Sequence, residues 1–219
     1  MFTKIKERYK THGKDPEFRL SVIIASAALL TSTVVNYYAG TYATEMASNS
    51  VTDVVLSNIR VFDVELIFVY GSGVLTFFIA MLLLAHPKRI PFTLYSLTLF
   101  ILIRSAFISL THIAPYPSQA ILDLGLVASK FIFGGDLFFS GHTGIPFLMA
   151  LIFWKEPHLR YFFIVWSVGF GVTALLGHLH YTIDVLSAFF ITYTIFHLAE
   201  IIFKKERTLF FRDEQADIK

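Results

Sequence analysis

Six long apolar stretches dominate this chain of 219 residues. A helix rises about 1.5 Å per residue and a bilayer's hydrocarbon core is about 30 Å thick, so about 20 apolar residues can cross it. We place the stretches at 19–40, 64–85, 92–113, 137–154, 161–178 and 183–203. The fourth and fifth are the shortest, and their ends are semi-polar. The pattern predicts an all-α membrane protein with six transmembrane helices.

The composition supports this prediction. Hydrophobic residues make up 55% of the chain and charged residues only 16%, whereas charged residues are about 25% of soluble domains. The absence of cysteine excludes disulfides, thiolate chemistry and cysteine-based metal sites. We expect a basic tail at 1–18, one membrane domain at 19–203 and a second tail at 204–219. The basic tails fit an anionic membrane surface better than nucleic acid.

Lysine and arginine are distributed unevenly between alternate loops, and an excess of them marks the cytoplasmic side. Most of the 18 in the chain lie in the two tails and in the loops around 88–89 and 155–160. The opposite loops hold only Arg60 and Lys130. Both termini are therefore predicted to be cytoplasmic. The first apolar run is too long for a signal peptide and has no small-residue cleavage site, so no cleaved leader is expected.

Two polar segments lie at the mouths of apolar stretches. They are Gly-Gly-Asp-Leu-Phe-Phe-Ser-Gly-His-Thr at 134–143 and His-Leu-His-Tyr-Thr-Ile-Asp at 178–184. Histidine and aspartate are expensive at membrane depth and are functional-site candidates there. The predicted topology brings both segments to the non-cytoplasmic side. We therefore expect four side chains to meet on one outer face: Asp136, His142, His180 and Asp184.

His180 and Asp184 are four residues apart, so on a helix they share one face. The carboxylate can then accept a hydrogen bond from one imidazole nitrogen, fix the tautomer and leave the other nitrogen free for nucleophilic attack. The spacing alone fits equally well an aspartate that interacts with a helix N-terminus beside a satisfied histidine.

Ser140, Gly141 and His142 precede the fourth apolar stretch. Ser140 is suited to cap the helix, Gly141 allows close backbone approach, and free N–H groups at a helix start bind phosphate. We assign Ser140 and Gly141 to substrate binding, and His142 is placed to protonate a leaving oxygen. By itself this tripeptide is not specific for that chemistry.

Together these segments resemble the type 2 phosphatidic acid phosphatase superfamily, and more closely its sphingomyelin synthase branch. Residues 135–143 are similar to the third motif of that branch, and His-Tyr-Thr-Ile-Asp-Val at 180–185 is similar to its fourth. Leu-Ile-Arg-Ser at 102–105 and Thr-His-Ile-Ala-Pro-Tyr-Pro at 111–117 resemble its arginine-bearing span and the Pro-x-Pro loop that follows. The likeness covers roughly residues 60–203.

The resemblance implies a two-step transfer that needs no cofactor and no metal. His180 would attack the phosphorus of a phospholipid headgroup ester, Asp184 would orient it, and His142 would protonate the departing diacylglycerol oxygen. A lipid alcohol such as ceramide, or water, would then take the group. The chain has no Lys-x6-Arg-Pro motif, and Ala174 stands where the superfamily's phosphatases carry arginine. Sphingomyelin synthases lack these phosphate clamps too.

A cation should still balance the phosphate, because electrostatic stabilisation is commonly the largest catalytic contribution. Arg104 is the candidate, since it lies about nine residues, or about 13 Å, inside the outer end of the third stretch, where an unpaired guanidinium would be expensive. It could instead form a structural ion pair with Asp136 or with a carboxylate near the second stretch, and both roles are compatible. Asp136 is expected to shape the site.

We therefore predict a multi-pass membrane phosphotransferase whose site faces the non-cytoplasmic side. Its donor would be a phospholipid of the bilayer. If water is the acceptor, the protein is instead a phospholipase C-like hydrolase or a lipid phosphatase. The same side chains could also serve a zinc hydrolase or a transporter, although transporters usually place polar groups near the midplane. The sequence does not fix the headgroup, the acceptor, the oligomeric state or the roles of Lys130, His112 and His178.

Overall fold

The computed structural model describes residues 2–120 and 136–211. All regular structure in this part of the chain is helical, which confirms the all-α fold class. A π-helix (Leu66–Tyr70) leads directly into the third α-helix, and a 3-10 turn (Pro87–Arg89) leads into the fourth. The α-helices in chain order are α1 (Phe2–His12), α2 (Pro16–Glu45), α3 (Gly71–Ala85), α4 (Ile90–Leu110), α5 (Gly141–Ile152), α6 (Pro157–Leu176), α7 (Thr182–Ile202) and α8 (Lys204–Phe211).

Five helical segments among the described residues are long and apolar enough to cross a membrane, as expected of a multi-pass membrane protein. Their boundaries lie within five residues of the predicted stretches. The segments are Pro16–Glu45, Leu66–Ala85, Pro87–Leu110, Pro157–Leu176 and Thr182–Ile202.

Helix α5 is shorter than the predicted fourth span. It has 12 residues, which correspond to about 18 Å. The predicted span began at residue 137, whereas α5 begins at Gly141. Residues 136–140 are not helical, and the side chain of Ser140 caps the helix that follows them. Six membrane spans and two cytoplasmic termini therefore stay predictions.

The surroundings of α5 explain how so short a helix is accommodated. Leu148, Met149 and Ile152 have no exposed surface, and α5 packs against both α6 and α7. Within a bilayer, such close side-chain packing holds helices together, because lipid is as apolar as the side chains themselves. Non-helical backbone at membrane depth is tolerated only where protein or a cavity surrounds it. The segment 136–140 meets this condition because α5 lies inside the bundle.

The segment between α2 and α3 crosses the end of the bundle that holds the two polar segments. The backbone N–H of Ser48 donates to the carbonyl of His112 (2.9 Å), and that of Phe62 donates to the carbonyl of Leu176 (2.9 Å). The Leu176 carbonyl belongs to the last residue of α6 and has no partner within its own helix, and the His112 carbonyl lies two residues past the end of α4. The segment thus fixes the C-terminal ends of α4 and α6 relative to each other.

Asp53 links the same segment to the start of α7. Its carboxylate accepts hydrogen bonds from the backbone N–H of Thr182 (2.7 Å) and from the Thr182 hydroxyl (2.8 Å). It also accepts from the backbone N–H groups of Val55 (2.9 Å) and Leu56 (3.1 Å). Burial raises the pKa of Asp53, but these hydrogen bonds outweigh burial and hold the pKa below its usual range. A carboxylate therefore caps the helix that begins with the second polar segment.

Both predicted tails contain a docked helix. In α1, Arg8 donates to the carbonyl of Ala85 at the end of α3 (2.8 Å). In α8, Arg207 donates to the Glu200 carboxylate (2.9 Å) and to the carbonyl of Ile152 at the end of α5 (3.0 Å). The tails thus supply hydrogen-bond donors to helix ends on the side opposite the polar segments.

Candidate active site

The structure places the two polar segments side by side. The backbone N–H of Ser140 donates to the carbonyl of Asp184 (3.1 Å). The Ser140 hydroxyl accepts from the backbone N–H of Thr143 (3.4 Å) and from the Thr143 hydroxyl (3.2 Å). The predicted cap is therefore present. The Ser140 side chain is fully buried and closes the first turn of α5, whereas its backbone N–H links that turn to α7. Contact of Ser140 with a substrate stays a prediction.

The first turn of α7 positions His180 and Asp184. The Asp184 carboxylate accepts from the backbone N–H of Tyr181 (2.9 Å), which closes the first turn of α7. His180 Nδ1 lies 3.0 Å from the carbonyl oxygen of Leu137 and 3.5 Å from Asp184 Oδ2. A carbonyl oxygen can only accept, so Nδ1 carries the hydrogen. The lone pair of the neutral imidazole is therefore on Nε2.

This geometry refines the expected pairing. The closer acceptor of Nδ1 is the backbone of the first polar segment, and Asp184 is a second, longer partner. The other carboxylate oxygen of Asp184, Oδ1, is buried and has no hydrogen-bond partner among the described residues. Its negative charge lies next to His180, where it would stabilise the imidazolium form once that ring gains positive charge.

Arg104 crosslinks α4 to the first polar segment. Its Nε donates to the carbonyl of Phe139 (2.8 Å), and one terminal nitrogen donates to the carbonyl (3.0 Å) and the carboxylate of Asp136. The structure therefore contains the Arg104–Asp136 ion pair, which was one of the roles predicted for Arg104. Arg104 lies six residues inside the end of α4 at Leu110, about 9 Å, because α4 ends earlier than predicted. Its second terminal nitrogen makes no hydrogen bond to the described residues.

A cavity of about 280 Å³ opens beside these groups. Arg104, Asp136, Gly141 and His142 form its polar wall, while His180 is not part of the lining. The remaining lining residues come from α2, α3, α4, α5 and α6: Thr33, Asn36, Ser72, Leu75, Thr76, Phe100, Ile101, Ile145, Pro146 and Phe170. The cavity is thus polar at the level of the two segments and mainly apolar deeper in the bundle.

His142 projects from the first turn of α5. Its ring centroid lies 4.0 Å from that of Phe68 and 5.9 Å from that of Phe170. Its ring nitrogens make no hydrogen bond to the described residues, so both are available to a substrate. The two aromatic rings fix the imidazole plane against the cavity wall.

The start of α5 adds backbone donors to the same wall. The N–H groups of Gly141 and His142 lie in the first helical turn, where no carbonyl within the helix can accept from them. A Cβ atom on Gly141 would lie 3.3 Å from Arg104 Nε, so glycine permits this close approach. Helix N-termini attract anions. Beside an arginine nitrogen, these donors form a pocket suited to a phosphate.

The sequence left the roles of three further residues open. Lys130 lies outside the described residues. His112 Nε2 lies 2.9 Å from the carbonyl of Ser109. His178 is buried, and its Nδ1 lies 2.8 Å from the Ser118 hydroxyl. Neither histidine lines the cavity. No group of three or more His, Cys, Asp or Glu residues within 2–120 and 136–211 is arranged to hold a metal ion.

Two contributors to the site were not predicted from the sequence. The carbonyl of Leu137 orients His180, but a backbone acceptor has no signature in the side-chain sequence. Asn36 lines the cavity from α2. The sequence contains a pattern that could have identified it, because a single asparagine inside a long apolar stretch is itself a functional-site candidate.

Comparison with known families matches residues 134–201 to a family model described as PAP2 superfamily C-terminal. The matched residues include α5, α6, both polar segments and nearly all of α7. Comparisons with curated proteins and with solved structures found no match. The family match supports a lipid phosphatase or phosphotransferase in a membrane.

Proposed function

We propose that this protein is an integral-membrane lipid phosphotransferase related to the sphingomyelin synthase branch of the type 2 phosphatidic acid phosphatase superfamily. It moves a phospho-headgroup from a glycerophospholipid to ceramide or another lipid alcohol through a phosphohistidine intermediate. The site faces the non-cytoplasmic side. The observation that carries the proposal is the fixed tautomer of His180, whose Nδ1 bond to the Leu137 carbonyl (3.0 Å) leaves the Nε2 lone pair free.

In the first step, the Nε2 lone pair of His180 attacks the phosphorus, and the bond between phosphorus and the glycerol oxygen breaks. The departing oxygen takes a proton from protonated His142, so diacylglycerol leaves as a neutral alcohol. Asp184 stabilises the positive charge that the imidazole gains. Arg104 and the N–H groups at the start of α5 stabilise the negative charge on the phosphoryl oxygens.

In the second step, the hydroxyl of the acceptor attacks the phosphorus while His142, now neutral, takes its proton. The bond between phosphorus and Nε2 breaks, and its electron pair returns to His180. The enzyme regains its starting protonation state. A phosphodiester carries less charge than a phosphomonoester, which is consistent with one arginine replacing the several cationic clamps of the phosphatases.

A hydrolase is the second candidate, because water can replace the lipid alcohol in the second step without any change in the residues. The two functions differ in one product, which is a new phospholipid for a transferase and free phospho-headgroup or phosphate for a hydrolase.

The test is incubation of the purified protein in lipid micelles with a phospholipid donor and labelled ceramide or diacylglycerol, in the presence of a chelator. A labelled phospholipid that His180→Ala abolishes establishes headgroup transfer. Release of phosphocholine, phosphoethanolamine or phosphate without labelled product establishes hydrolysis. Activity lost in chelator would favour a metal hydrolase, and no chemistry with any donor would favour a transporter.

A further inference from the structure

Among the described residues that line the cavity, Asn36 is the one with a side-chain amide. It lies nine residues before the end of α2 at Glu45, about 14 Å along the helix. Helix α2 is otherwise largely apolar, and six of its residues are buried. An amide at membrane depth is costly unless it has a partner, so its place on the cavity wall requires an explanation.

The protein satisfies only part of this side chain. The Ser105 hydroxyl lies 3.3 Å from Asn36 Oδ1 and 2.8 Å from the carbonyl of Ile101. An amide nitrogen carries two hydrogens. In either orientation of the amide, Ser105 can take at most one of them, and no other described residue bonds to Asn36. At least one N–H of Asn36 is therefore available to a molecule in the cavity.

Asn36 lies at the depth of the reacting groups, because its partner Ser105 is the next residue after Arg104. From that level the cavity continues inward past Thr33 on α2, Thr76 on α3 and Ile145 on α5. The Thr33 and Thr76 hydroxyls already donate to carbonyls of their own helices, at 2.8 Å each. Asn36 lies at the boundary between the polar wall and the apolar part of the cavity. Among the described lining residues at this boundary, it is therefore the one with a side-chain N–H that is not already hydrogen-bonded.

We infer that Asn36 binds the acyl carbonyl oxygen of the lipid, an ester in a glycerolipid or an amide in a ceramide. Both lipids carry a carbonyl between a polar end and apolar chains. The cavity has the same order, because Asn36 lies between the polar wall and the apolar part. Thr33 and Thr76 are exposed on their helices, so the chains extend from the cavity toward the bilayer between α2 and α3. The inference rests on the proposed function for the placement of the polar end beside His142.

The test is equilibrium binding of unreactive lipids to the purified full-length protein by native mass spectrometry. The probes are a diacylglycerol, a ceramide and a dialkylglycerol of equal chain length, which lacks carbonyl oxygens. One hydrogen bond corresponds to about two- to tenfold in affinity. We expect the wild type to prefer a carbonyl lipid over the dialkylglycerol by that factor, and Asn36→Leu to lose the preference.

The ester carbonyl and the amide carbonyl are tested separately. Asn36→Leu loses the preference for diacylglycerol if Asn36 binds the ester, the preference for ceramide if it binds the amide, and both preferences if it binds either group. Asn36→Ala serves as a second variant should leucine disturb packing. Thr31→Val is the matched control, because Thr31 is exposed on the same helix, donates to the Ala27 carbonyl and does not line the cavity. It should leave the preference unchanged.

Two outcomes overturn the inference: a wild type that does not distinguish carbonyl lipids from the dialkylglycerol, or a preference that survives in both Asn36 variants. Binding does not need the nucleophile, so His180→Ala should bind all three probes as the wild type does. A failure of the proposed chemistry would appear as absent turnover with intact carbonyl preference, which distinguishes it from a failure of this inference.

Discussion

At the scale of single residues, the proposed mechanism depends on His180, whose ring is held by the backbone carbonyl of Leu137. The topology predicted from the distribution of lysine and arginine brought Asp136, His142, His180 and Asp184 to one face, because both polar segments then lie on the same side of the membrane. It could not predict that the Leu137 carbonyl would be the closer partner of His180 Nδ1, since that contact depends on how residues 136–140 fold. In the proposed mechanism this carbonyl fixes the His180 tautomer, and Asp184 stabilises the positive charge on the ring.

Replacing Asp184 with asparagine should lower kcat by about 10²- to 10⁴-fold and leave KM nearly unchanged. The charge that stabilises the imidazolium is lost, but the Leu137 carbonyl still fixes the tautomer. His180→Ala should cost more, because the attacking atom itself is removed. Steady-state kinetics of both variants provide the measurement. Asp184→Asn activity as low as that of His180→Ala would show that the carbonyl does not hold the ring.

Arg104 and Asp136 have a structural role and a proposed catalytic role that can be separated. Removing one partner of a buried ion pair costs about 3–5 kcal/mol, so Arg104→Gln alone should lower the unfolding temperature and abolish activity. The double variant Arg104→Gln, Asp136→Asn should recover most of the stability, because no charge is left unpaired. Its activity should stay low, because the phosphate has lost its cation.

Thermal unfolding in micelles and the transfer assay measure these two properties in the same samples. Asp136→Asn alone is the control for loss of the carboxylate. If the double variant recovers activity together with stability, Arg104 acts only through the fold.

At the scale of elements, helix positions were predictable and helix ends near the site were not. Long apolar stretches located α2, α3, α4, α6 and α7 because burial in lipid requires continuous apolar length. Helix α5 begins at Gly141 rather than at residue 137, because Arg104 satisfies the carbonyls of Asp136 and Phe139 and so replaces helical hydrogen bonding there. The start of α7 depends in a similar way on a partner distant in sequence, Asp53.

Asp53→Asn should destabilise the protein by about 1–3 kcal/mol at neutral pH, because the hydrogen bonds to Thr182 lose their charged acceptor. The folded-state pKa of Asp53 is lowered, so its stabilising contribution is complete above the unfolded pKa of about 3.9 and is lost as the pH falls through the folded value. The gap in unfolding temperature between wild type and variant should be constant from about pH 7 to pH 5 and narrow below about pH 4.

Asp63→Asn is the matched control, because Asp63 lies in the same segment and its carboxylate is exposed. Among the described residues, this carboxylate accepts a hydrogen bond only from the backbone N–H of Glu65 (3.1 Å). It should change the unfolding temperature little at any pH. An Asp53 variant as stable as this control would refute the link between the α2–α3 segment and α7.

At the scale of the whole molecule, the distribution of lysine and arginine predicts the orientation. The structure groups the polar segments and the α2–α3 segment at one end of the bundle and places α1 and α8 at the other. This arrangement is consistent with the predicted topology, but the side of the membrane depends on charges acting during insertion and not on packing. It therefore needs its own measurement.

The chain contains no cysteine, so single cysteines report the topology without background. Ser50→Cys, exposed in the α2–α3 segment, should react with a membrane-impermeant maleimide on intact cells. His158→Cys, exposed at the start of α6, should react only after the membrane is permeabilised. The cysteine-free parent is the control, and the reverse pattern of labelling would place the site on the cytoplasmic side.

The central claim is a covalent phosphohistidine on His180. Its most direct test is to mix the protein with a phospholipid donor without an acceptor, quench at alkaline pH and analyse the peptides by mass spectrometry. We predict a phospho-headgroup on His180, its release when ceramide or diacylglycerol is added, and its absence in His180→Ala. Turnover with an unmodified His180, or with His180→Ala as active as the wild type, would contradict this mechanism.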